Sequence, residues 1–98
     1  MKTPVVFRVW TEGGGVLALF PTLPADARGT LCSSYATVGQ HGAADYALCV
    51  QATRPATPDE YGPLVAELER IGYALRVVKR ASYAMHHQRR TSYEDSDE

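Results

Sequence analysis

The chain has little of what usually announces a chemistry. Cys32 and Cys49 are its only thiols in 98 residues, and two cysteines do not make the disulfide framework of a small secreted scaffold. They read as small buried hydrophobes, with a single bridge between them left open. Charge of neither sign is in excess: 10 basic and 11 acidic residues give a formal charge of -1, so nothing electrostatic points to a polyanion as the main partner. Long hydrophobic runs are missing too. The longest, Val16 to Phe20, is far too short to cross a bilayer, and the N-terminus lacks the apolar core of a signal peptide, so the expectation is a soluble, cytoplasmic protein that does not enter a membrane. No phosphate-binding glycine loop, Ser-His-Asp elbow or paired-carboxylate site is written in the chain. His86 and His87 are adjacent, without the three-or-four spacing that sets two ligands on one helix face, and neither a metal nor a cofactor is expected.

What is there begins with Thr57 to Lys79. Thr57 suits an N-cap, Pro58 the first helical position, and Glu60, three residues after the cap, completes a capping box. Tyr61, Leu64, Val65, Leu68 and Ile71 follow as one apolar stripe, leaving Glu67 and Arg70 to face water, and Gly72 ends the helix as an αL residue. Pro63 lies inside it and predicts a kink near Gly62. From Tyr73 to Lys79 the period changes to two, as in a strand, with Leu75 and Val77 opposed to Arg76 and Val78.

Upstream, Pro4 to Trp10 and Val16 to Phe20 are β-rich runs joined through Gly13 to Gly15, which permits a hairpin. Val5, Phe7 and Val9 share one face of the first run, and Val6, Arg8 and Trp10 the other. Leu17 and Leu19 likewise oppose Val16, Ala18 and Phe20, so both faces of the hairpin are apolar, and a loop, the tail or a second subunit must cover the one that the helix leaves. Pro21 to Gly29 reads as a loop and Leu31 to Val38 as a third strand. Between Gly39 and Thr53 the pattern weakens to a short helix or turn near Asp45 to Val50. After Lys79 periodicity is lost.

The fold expected is therefore α+β, in the order β-β-β-α-β: a single-layer antiparallel sheet of about four strands with one main helix on one face. Residues 1–80 form the single compact domain and residues 81–98 a mobile polar tail.

The stretch Ser34 to Tyr46 holds the best candidates for a site. His41 lies between Gly39 and Gly42 at a strand end, with Tyr35, Gln40, Asp45 and Tyr46 close in sequence; His41 and Asp45 would serve as an acid/base pair, or His41 as the base for a Cys32 or Cys49 nucleophile. The plainer alternative is a tight turn after which Asp45 caps a helical turn, with both thiols buried. In the tail, Lys79, Arg80, Arg89 and Arg90 interleave with Tyr83, His86, His87 and Tyr93, as in single-strand nucleic-acid binders, but Glu94, Asp95, Asp97 and Glu98 compete for the same cations. Weighed together, these features favour a non-enzymatic binding or interaction module with a protein partner or a second copy of itself. Tyr35, Gln40, His41 and Trp10 are its contact residues, and Trp10 anchors the second face of the hairpin. An enzyme built on His41 is the alternative of a different class, and a nucleic-acid-binding tail the third.

The runs Ser34 to His41, Pro55 to Tyr61 and Ile71 to Leu75, with the opening Val6-Phe7-Arg8, resemble a group of small uncharacterised bacterial proteins. The resemblance covers most of Val5 to Lys79. It implies a bacterial origin and a compact, self-contained domain, and it carries no activity.

Overall fold

The structure, a computed structural model, describes residues 2–36 and 40–95. Two of its strands, β1 (Thr3–Trp10) and β2 (Val16–Pro24), form the expected hairpin. Its turn takes positive φ at Gly13 and Gly14, which glycine adopts without strain, and closes with Trp10 N–H donating to the Gly15 carbonyl at 2.9 Å. The register sets Val6 opposite Leu19 and Phe7 opposite Ala18. Val6, Trp10, Leu17 and Leu19 thus share one face, and Val5, Phe7, Ala18 and Phe20 the other.

The strand β3 (Cys32–Ala36) adds to β2, and β4 (Gln40–Ala44) to β3. The turn expected at Gly39 lies outside the described residues, as does the side chain of Gln40. Helix α1 (Tyr46–Gln51) follows, capped by Asp45, whose carboxylate accepts from Leu48 N–H at 3.2 Å, and leads into β5 (Thr53–Pro55).

The central helix α2 (Pro58–Arg70) has its capping box, with the Thr57 hydroxyl accepting from Glu60 N–H at 3.3 Å and the Glu60 carboxylate from Thr57 N–H at 2.9 Å. Arg54 adds an ion pair at 2.5 Å, and together these donors hold the Glu60 carboxyl down at about 2. The helix runs on through Pro63. At its far end Tyr73 N–H donates to the Leu68 carbonyl and Gly72 N–H to that of Glu69, with Gly72 at φ 115°, which is a Schellman motif. After α2 comes β6 (Leu75–Val77), and α3 (Tyr83–Asp95) closes the described chain.

Three expectations need correction. Among the described residues the sheet has six strands, ordered β4-β3-β2-β1-β5, with β6 also on β1. It is not wholly antiparallel: β6 pairs parallel with Thr3–Val5, while β5 pairs antiparallel with Arg8–Trp10 further along the same edge. Parallel pairing needs a crossover, and α2 provides one.

Nor does one helix cover one face. Leu64 and Leu68 of α2 pack on Val5, Phe7, Ala18, Phe20 and Tyr35, while Tyr46 and Cys49 of α1 pack on the second face around Val6, Leu17, Leu19 and Cys32. The third correction concerns residues 81–98, read as a mobile tail. Residues 83–95 are helical, and α3 lies across β2 beside α1. Arg89, only 2% exposed, donates to the carbonyls of Gly29 and Pro21 at 2.8 Å each. Gly29, at φ 70°, lets α3 approach closely, since a methyl there would stand 2.5 Å from the Arg89 carbonyl oxygen. The chain thus supplies its own cover for the second face, and Trp10 is half-buried within that cluster. The argument for a homodimer through this face falls with it. Among the described residues no helix is long and apolar enough to cross a membrane.

Candidate functional site

Antiparallel pairing of β3 with β4 puts Tyr35 directly opposite His41. The two rings meet edge to face, centroids 4.7 Å apart at 74°. The Schellman motif at the end of α2 brings Tyr73 to the same place, where its ring stacks on Phe20 at 5.0 Å and its hydroxyl lies 3.1 Å from His41 Nε2. Tyr35 is itself tied to α2, its hydroxyl donating to the Glu67 carboxylate. Glu67, read from the sequence as solvent-facing, is thus a polar strut between helix and sheet. Ile71 and Gly72 complete an open cleft of about 540 Å³, with Tyr35 as its buried back wall and exposed His41 on its rim. Ile71, 52% exposed, adds an apolar lip.

Of the residues singled out in the sequence, Tyr35 and His41 are brought together and Asp45 is not. Asp45 caps α1 and lines a different cavity, with Thr30, Tyr46, His86 and Arg89. The carboxylate four residues from His41 is engaged with a helix N-terminus, as the plainer alternative had it. Cys32 is fully buried in the second-face cluster opposite Ala44, while His41 packs against Tyr35 on the first-face side of the sheet. Burial pushes the Cys32 thiol up to about 11, so it stays protonated at neutral pH, and burial followed by the charge of Asp45 raises Cys49 as well. Both thiols are free. Trp10 belongs to the second face, remote in register from the cleft.

The basic tail changes character in the same way. Arg89 is turned inward, and His86 packs against the Tyr46 ring at 4.8 Å, so two of the residues that interleave charge with rings serve to dock α3. His87 and Tyr83 stack on each other at 6.3 Å on the outer side. Among the described residues no group of three histidines, cysteines and carboxylates is placed to hold a metal ion. Sequence reasoning missed Tyr73 and Ile71 as companions of His41 in the cleft, and Glu67 as the partner of Tyr35. The one available signal for Tyr73 was its place directly after the glycine stop, where a Schellman motif turns the next side chain back toward the helix.

Comparison of the chain with protein-family models, with curated proteins and with solved structures finds no match.

Proposed function

We propose that the protein is a binding module that recognises a segment of a partner protein through the Tyr35–His41–Tyr73 cleft. The observation that carries this reading is the composition of the cleft's open part. His41 presents an imidazole whose Nε2 is held by a tyrosine hydroxyl, beside an exposed isoleucine and a backbone turn at Gly72, and among the described residues no thiol or carboxylate lines it. Amphipathic rings fixed by stacking and hydrogen bonds give contact area at low entropic cost, which is why tyrosine is enriched among residues that dominate interfaces. The second reading, acid/base chemistry at His41, has the histidine in an accessible place but loses the Asp45 and cysteine partners that the sequence suggested for it.

The test is selection of displayed peptides against the full chain, followed by NMR mapping of the selected binders. Binders should shift the Tyr35, His41 and Tyr73 resonances, and Ile71→Ser with His41→Ala should weaken them about tenfold or more together, as removal of two contacts in a small interface does. Selected peptides that map elsewhere, or that bind the double variant equally well, would remove the cleft from the reading.

A further inference from the structure

Between α1 and α3, on the side of the sheet away from the aromatic cleft, His86 is built into the contact that holds the last helix down. Arg89 Nη1 lies 2.8 Å from His86 Nδ1. A guanidinium can only donate, so Nδ1 accepts and the docked imidazole is neutral, with its proton on Nε2. We propose that His86 is an acid-operated latch: protonation of its Nδ1 breaks the hydrogen bond to Arg89 and releases α3 from β2 and the Gly29 loop.

Among the described residues the geometry leaves the new proton nowhere to go. On its own helix His86 faces two cations, Arg89 and Arg90; from α1 it meets the edge of the neutral Tyr46 ring, and Asp45 at the α1 N-cap shares the cavity. From the β2–β3 loop Thr30 lines the same cavity, and Asp26 is near enough to act on Arg89. Protonated, Nδ1 would point a donor at a donor and set a third positive charge beside two. Arg89 is held in place, because the same Nη1 also donates to the Pro21 carbonyl, Nε donates to that of Gly29, and its backbone rests against Gly29. The Tyr46 hydroxyl, which accepts from Ala81 N–H at 2.8 Å, holds the segment just before α3, so the hinge of release falls between Ala81 and Tyr83.

Burial first, then Arg89 and Arg90, depress the proton affinity of His86 below its ordinary 6.5. A group depressed in the docked state binds more protons when released. Its contribution to docking is therefore complete above pH 6.5 and is lost as the pH falls from there through the docked value.

Hydrogen exchange of the full chain at pH 7.5 and 5.0, expressed as protection factors to remove the intrinsic pH dependence, reads the latch. Protection of amides 83–91 should fall at pH 5.0 by up to about tenfold for each pH unit by which docked His86 titrates below 6.5, while that of α2 holds. His86→Gln, which keeps an acceptor and cannot charge, should abolish the fall, and His87→Gln should leave it in place. Unchanged protection in the parent, or the same fall in His86→Gln, overturns the proposal. Should His86→Gln be undocked already at pH 7.5, the parent's own imidazole titrations decide. A His86 midpoint below the ordinary 6.5 and coincident with the opening of α3 supports the latch, and a midpoint at or above 6.5 refutes it.

Discussion

Helices α2 and α3 are each 13 residues long and lie against the same sheet, yet they are held there by different forces. Helix α2 buries Leu64 and Leu68 in a cluster with Val5, Phe7 and Phe20, and both of its ends are closed by local motifs, the capping box and the Schellman turn. Helix α3 is docked through a buried arginine that donates to the carbonyls of Pro21 and Gly29, while its outer surface carries Tyr83 and His87. Apolar burial is non-directional, and it leaves a periodic stripe in the sequence. A buried cation satisfied by main-chain carbonyls leaves none, because every residue has a carbonyl. The pair shows why one helix was legible before folding was known and the other read as a charged tail.

The sharpest test of the difference is Leu68→Ala, which should cost about 2–5 kcal/mol by lost transfer energy and a cavity between helix and sheet. Denaturant titration measures it, and a cost near zero would mean that α2 is not held by its stripe. Next comes Arg89→Met, which keeps an apolar stem and strands the carbonyls of Pro21 and Gly29; about 1–3 kcal/mol is expected, with exchange protection lost first in α3. A variant as stable as the parent would break the comparison by showing that the arginine only fills space. The smallest effect is that of Thr57→Ala, about 1 kcal/mol for loss of one half of the capping box. If it matched Leu68→Ala in the same titration, local capping and not burial would be what sets the stability of α2.

In the candidate site, half of the arrangement was readable. Tyr35 and His41 stood out as a ring and an imidazole flanking glycines, and strand pairing does bring them face to edge. Asp45, taken with His41 because it follows by four residues, answers instead to the amide of Leu48. Distance along the chain is a poor guide once a strand ends and a helix begins, since the cap turns its side chain toward the new helix's N-terminus. Tyr73 lies 32 residues from His41 in sequence and reaches it only because α2 crosses the sheet.

By itself the sequence determined what local chemistry can determine: the start and stop of α2, the glycine turn of the first hairpin, and the parity that sorts Val5 and Phe7 from Val6 and Trp10. Each of these rests on residues within a few positions of one another. Tertiary structure alone decided which edge β5 and β6 share, which face α3 covers, and which hydroxyl His41 meets. A strand as short as the three residues of β5 carries no period to read, and the alternation read across β6 does not say which strand it joins. Their partners are chosen by the unpaired main-chain groups along β1, and those acquire a location only when the whole sheet is assembled.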